Sequence, residues 1–441
     1  MSHPLPAATP SMSRTVAIED LQVGMYVHLD VGWMAHPFPT SSFVVESQRD
    51  IERIRSLGLR RLRWAPEKSA PRTTTVIARI DEARESSETV GRTAGSSDGA
   101  ADTSAQATAC QRAALSAQRA AMQRCEQHYG EASSVLRDIV GDVVARPELA
   151  REQAQALTRT LFEKMLGEGE MCVLVLSSNA AARPTAHAMN VTIISLLMSR
   201  VCGLDESEMM DVGLGAMLHD IGKLSLPRAV HHPGANLGSA EVTAYRDHVR
   251  QGCFLGERMG LSAGALQVIA QHHECSDGSG FPAALNIDRM STAARIVALV
   301  NRYDDLCNPA QADEALTPHD ALSRLFAQGQ GKTDATMLNA FIRMMGVYPA
   351  GSLVQLTDDR FAMVTHINST RPLKPRVLVH EPRVPREDAL LLNLADAPDL
   401  GIRRSLTATQ LPSAARHYLE PVPRVAYYFD HVGAPPVQAP A

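Results

Sequence analysis

The apolar positions fall into stretches of different period. Over residues 14–68, apolar and polar residues alternate in TVAIEDLQVGMYVHLD and SSFVVES; the spacing becomes helix-like in DIERIRSLG and returns to alternation in RLRW. Alternation predicts strands and the middle stretch a helix, so a small α+β module is expected over 14–84. From 85 to 109, Ser, Ala, Gly, Thr and Asp dominate, with too few large apolar side chains to pack a core. A flexible linker is expected there. Residues 110–166 are rich in Ala, Gln, Arg, Glu and Leu and break near Arg146-Pro147, which predicts a connector of two helices. Helical patterns broken by Gly and Pro fill 167–350, and GSLVQLTD, FAMVTHI and PRVLVH predict strands in a C-terminal extension over 351–441. The expected fold class is mainly α.

Composition changes this picture little. With 441 residues and 45% apolar content the chain can fill two or three ordinary cores. Lys and Arg total 43 against 48 Asp and Glu, a formal charge of −5, which argues against a general affinity for polymeric nucleic acid. A small anionic substrate would need a local positive site, such as metal ions. No apolar run approaches the roughly eighteen residues of a membrane span, and the first twenty residues lack signal-peptide regions. A cytoplasmic protein is expected. Seven cysteines form no CxxC pair and are read as reduced thiols.

The chemistry concentrates between 187 and 301. In GLGAMLHDIGK the apolar residues belong to a helix that Ile221-Gly222 ends, so His219 and Asp220 fall at its last turn. A lone His-Asp pair is weak evidence of a site. Its company carries more weight: His187 in PTAHAMNVTIISLL, His248 in EVTAYRDHVRQG, His272 and His273 after GALQVIAQ, and Asn301 in AARIVALVNRYDDL. Each lies in an apolar helical stretch, where an unpartnered polar group costs a few kcal/mol. Five such helices read as one buried site. Imidazole with carboxylate and no thiolate suits Fe, Mn or Zn, and the ligand count suffices for two ions.

HDIGK, then HHECSDGSGFP, then ARIVALVNRYDDL resembles the HD-GYP domain of the HD hydrolase superfamily, over roughly residues 180–350. Residues 14–68 are similar to an uncharacterised module often found ahead of bacterial HD-GYP domains. The resemblance implies an all-helical hydrolase core that cleaves cyclic di-GMP to pGpG or GMP in bacterial second-messenger signalling. It implies two divalent transition-metal ions, Fe or Mn before Zn. Carried over by position, His187, His219, Asp220, His248, His272 and His273 match the metal ligands, with Asp220 bridging. Lys223 matches the lysine that faces the phosphate, and Asp277 to Pro282 match the naming loop, with Gly280, Phe281 and Pro282 on the substrate.

Phe281 stands where the naming loop usually has Tyr, a change that removes only a hydroxyl, and three further features depart from the family pattern. Asn301 stands where an aspartate ligand is usual and offers an amide oxygen without charge. CNPAQADEALTP at 307–318 lacks the Arg and Lys that many members use on the nucleotide. Arg183 stands where members with a third metal have Glu, so two ions are expected. An active cyclic di-GMP phosphodiesterase is the first reading. The alternative is a catalytically weakened protein that holds a cyclic dinucleotide or a signalling-protein partner without cutting, and a hydrolase of another cyclic dinucleotide is a third. The sequence leaves a homodimer open.

Overall fold

The computed structural model of the chain describes residues 14–29, 42–45, 48–56, 59–66, 69, 98–166, 170–176, 183–227, 230–231, 238–329, 331–368, 373–421 and 424–432. The chain divides into two compact units, residues 1–109 and 110–441.

In the first unit, β1 (Arg14–Ala17), β2 (Tyr26–His28), β3 (Ser42–Val44) and β4 (Arg61–Trp64) form an antiparallel sheet of order β1-β4-β2-β3. Alternation decides what is buried: Val16 and Ile18, Val27 and Leu29, and Leu62 meet Ile51 and Ile54 of α1 (Gln48–Ser56) in one core. The last part of the expected 14–84 module, from residue 70 on, lies outside the described residues.

The expected linker needs correction. Residues 85–97 lie outside the described residues, but from Asp98 onward the chain is helix, the start of α2 (Asp98–Asp142). The stretch is poor in large apolar residues, yet after Gly99 it is Ala-rich and free of Gly and Pro, and helix propensity does not require a core. Arg146 then caps α3 (Pro147–Met165), which has Pro147 in its first turn.

After β5 (Glu170–Val175) come the helices of the core: α4 (Arg183–Val201), α5 (Glu206–Leu218), α6 (Ser239–Met259), α7 (Ala263–Gln271), α8 (Thr292–Cys307), α9 (Pro318–Gln328) and α10 (Ala335–Met345). From Met189 to Ser199 every residue of α4 is buried, as expected of a helix apolar on all sides. It packs against α5 and α8. Side-chain caps set the helix starts and so the phase of the functional residues. Asp205 accepts from the Glu208 N–H while Glu208 accepts from the Asp205 N–H, and Ser262 and Ser291 cap α7 and α8.

The C-terminal strands predicted from sequence are present as β6 (Leu353–Leu356), β7 (Phe361–Asn368) and β8 (Arg376–Val379). They are joined by β9 (Leu392–Asn393), β10 (Ile402–Leu406), α11 (Ser413–Leu419) and β11 (Tyr427–Val432). The path through this sheet runs β10-β6-β7-β5-β11, with β8 on β7 and β9 on β8. Strand β5 lies within the expected 167–350 domain, yet it pairs with β7 and β11 from the extension. The expected boundary at 351 therefore falls between strands of one sheet. EMCVLV is a short apolar run with no alternation to announce it, and Cys172 to Leu176 are all buried. Among the described residues no helix is long and apolar enough to cross a membrane, and Cys125, Cys172, Cys202, Cys253, Cys275 and Cys307 are free thiols.

Candidate metal centre

Four helices and the segments that follow them bring the predicted histidines and Asp220 together. His187 is on the first turns of α4, His219 is the C-cap of α5, His248 lies on α6, and His272 is the C-cap of α7 with His273 next. Gly222 makes the close approach possible. A Cβ there would lie 1.8 Å from the His248 carbonyl oxygen and 2.4 Å from the Gly252 nitrogen, so only glycine lets the turn after Asp220 lie against α6.

Asp220 sits between two pairs of imidazoles. Its Oδ2 is 3.5 Å from His219 Nε2 and 3.9 Å from His187 Nε2, and its Oδ1 is 3.5 Å from His248 Nε2 and 3.9 Å from His272 Nε2. Two donor groups result, His187-His219-Asp220 and Asp220-His248-His272-His273, with the carboxylate common to both.

The outer nitrogens fix the tautomers. His219, His248 and His272 each donate Nδ1–H to the carbonyl three residues earlier, of Ala216, Tyr245 and Ile269, at 2.7, 2.6 and 2.8 Å. His187 donates Nδ1–H to the buried carboxylate of Asp304 at 2.7 Å. All four Nε2 atoms therefore carry lone pairs. His187 and His219 face each other at 3.1 Å and His248 and His272 at 3.3 Å, distances at which two lone pairs repel unless a cation or proton lies between them. Protons are disfavoured on His219 and on the second pair: burial pushes His219 down to about 4, lowers His248, and holds His272 and His273 well below the usual imidazole range. Burial opposes charge on His187 too, but the Asp304 carboxylate outweighs it and raises this imidazole. Burial also disfavours charge on Asp220, yet Lys223 and the histidines hold its carboxyl well below the usual range. Asp220 Oδ1 and Asn301 Oδ1 are buried oxygens without hydrogen-bond partners. Converging lone pairs and orphaned oxygens fit metal ions.

Lys223 reaches back to Asp220 Oδ2 at 2.5 Å and lies 5.5 Å from the centre of the Tyr245 ring. Both line a cavity of about 520 Å³ shared with His187, Asp220, Asp305, Arg183 and Arg137. Arg183, where a third-metal Glu was missing, donates Nε–H to the carbonyls of Asn308 and Pro309.

The 277–282 loop stands apart from this cavity. A Cβ on Gly280 would be 2.4 Å from the Cys275 nitrogen, and the Phe281 ring stacks on His273 at 4.5 Å. Gly280 and Phe281 line a second cavity, and Pro282 lines neither. Asn301 is 3% exposed on α8, and it is not among the residues lining the larger cavity.

Residues without a role assigned from the sequence hold the donors in place. Asp304 Oδ1 accepts from Asn190 at 2.7 Å and Asn308 at 2.8 Å, and both amides also donate to the Val425 carbonyl. In return the Val425 and Tyr427 N–H groups donate to Asn308 and Asn190. Glu274, 1% exposed, accepts from the Ala283 and Leu285 N–H groups and so anchors the loop behind His273. For Asn190 and Asp304 the one signal is a polar side chain in an apolar helical stretch.

Two family models match: a domain of unknown function, DUF3391, over residues 13–154 and an HD domain over residues 172–337. The chain is an HD-GYP protein. Among relatives of this HD-GYP chain is the cyclic di-GMP phosphodiesterase PA4108 of Pseudomonas aeruginosa, 25% identical over 83% of this chain and 85% of that protein. The cyclic di-GMP phosphodiesterase response regulator RpfG of Xanthomonas campestris is 33% identical over 36% of this chain and 43% of its own. Of solved structures, Bd1817, an HDG"Y"P protein from Bdellovibrio bacteriovorus, covers 75% of this chain and 98% of its own at 14% identity, with a TM-score of 0.40.

Proposed function

We propose that the chain is a phosphodiesterase that uses two divalent transition-metal ions, Fe or Mn before Zn, to hydrolyse cyclic di-GMP to pGpG or GMP. The observation that carries this reading is the Asp220 carboxylate with one histidine pair on each oxygen, beside Lys223 in a cavity large enough for a nucleotide. The name of the relative that matches most of the chain points the same way.

His187, His219 and one oxygen of Asp220 would hold one ion, and the other oxygen with His248, His272 and His273 the second, Asn301 adding a neutral oxygen. When bound, the ions would supply Lewis-acid polarisation of the phosphoryl oxygens. The chain's own residues do the rest. Lys223 places a cation beside Asp220, where the phosphate's negative charge must come. Arg183 and Arg137 add cations to the cavity wall, a role the 307–318 stretch lacks the residues to fill. Leu136, Val140 and Met217 give the same wall apolar surface for a base.

Anaerobic purification followed by a turnover assay with added Fe or Mn tests this reading, with cyclic di-GMP and cyclic GMP-AMP assayed side by side. Release of pGpG or GMP from cyclic di-GMP supports it. Binding of cyclic di-GMP without cleavage under every metal supports a regulatory dinucleotide-binding protein instead, and preference for cyclic GMP-AMP moves the substrate.

A further inference from the structure

A second cavity, of about 440 Å³, has His273, Gly280 and Phe281 in one wall and four cations, Arg246, Arg302, Arg324 and Lys332, around it. Neither Asp nor Glu lines it, and none of the four cations is in an ion pair among the described residues. Their polar contacts are neutral. Arg302 donates to Cys275 Sγ at 2.9 Å and to Thr333 Oγ1 at 3.4 Å, and Arg324 donates to Gln328 at 3.3 Å. The Arg246 guanidinium lies over the Phe281 ring, 4.9 Å from its centre. Asp277, the carboxylate whose charge Lys332 feels, is taken by the N–H and O–H of Ser279 at 2.9 and 2.6 Å. Like charges gathered on a concave surface raise the local positive potential, and guanidinium forks match phosphate oxygens.

We propose that this cavity binds the phosphate of a nucleoside monophosphate at a site separate from the cavity that holds Asp220 and Lys223. The cations take the phosphate, and Phe281, Leu306 and Leu325 supply apolar wall for the nucleoside. The shared wall at His273 would let the bound nucleotide be felt at the metal centre.

Calorimetric titration of the full-length, metal-loaded chain with GMP, inorganic phosphate and guanosine tests the site, beside the double variant Arg324→Gln/Lys332→Gln. Both changed residues are exposed, and neither lies in the metal centre. The expected result is that GMP binds, guanosine does not, and the double variant weakens GMP at least about tenfold through lost charge-assisted hydrogen bonds, with metal content and melting temperature unchanged. Equal GMP affinity in variant and wild type overturns the proposal, because the binding is then at the metal centre. GMP no tighter than inorganic phosphate overturns the nucleotide assignment. Turnover is not read, so these outcomes stand whether or not the chain cleaves cyclic di-GMP.

Discussion

Two devices hold the imidazoles of this centre, and they differ in what they depend on. His219, His248 and His272 each use the carbonyl three residues back, a partner that the helix itself supplies and no side-chain substitution removes. His187 uses Asp304, fixed in turn by Asn190, Asn308 and the backbone at Val425 and Tyr427, with Asn190 and Tyr427 237 positions apart in the chain. The first device is local and neutral. The second is long-range and charged, and it joins one end of the donor cluster to the C-terminal sheet through β11. The donor cluster thus has two ends held differently: His187 rests on residues far away in the chain, whereas the His248 and His272 rings rest on carbonyls of their own helices.

The largest effect should come where the two ends meet. Asp220→Ala removes the carboxylate common to both donor groups, so turnover should fall to background and at least one ion should be lost while circular dichroism shows the fold kept. Wild-type rates in that variant would remove Asp220 from its bridging place.

Asp304→Asn separates the ends. It keeps the shape but takes the charge from behind His187, and loss of such an outer partner typically costs about 10- to 100-fold in metal affinity or activity. Metal titration should show one ion weakened and the other unchanged. Equal weakening of both would mean that the two devices are not independent.

A smaller loss is expected from Asn190→Ala, which leaves Asp304 and the Tyr427 N–H each short of a buried partner. About 1–3 kcal/mol of stability should go, read by chemical denaturation, with a modest fall in turnover. No stability change would show that water replaces the amide there.

The mildest effect is acid. His366 lies buried on β7, and burial followed by Arg376 pushes it down to about 4. The unfolded chain, with an ordinary imidazole, binds more protons between about pH 6.5 and 4, so the stability that this neutral histidine carries is present above about 6.5 and lost as the pH falls through that window. At pH 5.5 the loss should be about 1 kcal/mol relative to pH 7.5, and His366→Gln should flatten it. An unchanged slope in that variant would place the acid-labile groups elsewhere.

The sequence made the donors legible because a histidine in an apolar helical stretch is conspicuous. His187, His219, Asp220, His248, His272 and His273 do meet, and the helices that carry them are where the apolar spacing put them. The supporting residues were not legible. Asn190, Asp304 and Asn308 are read as ordinary polar residues until Val425 and Tyr427 return to them from across the chain, and no local pattern encodes a pairing so distant. Strand β5 was missed for a related reason: a six-residue apolar run has no period that tells strand from helix. The start of α2 was missed because a composition that cannot build a core was taken as one that cannot build a helix. The packing of Phe281 on His273 was not legible either, because loop residues carry no periodicity from which a facing side can be read.

Metal analysis of the anaerobically purified wild-type chain tests the central claim most directly. Two donor groups sharing one carboxylate predict close to two Fe or Mn ions per chain. One ion, or none after reconstitution with Fe, Mn and Zn, would contradict it.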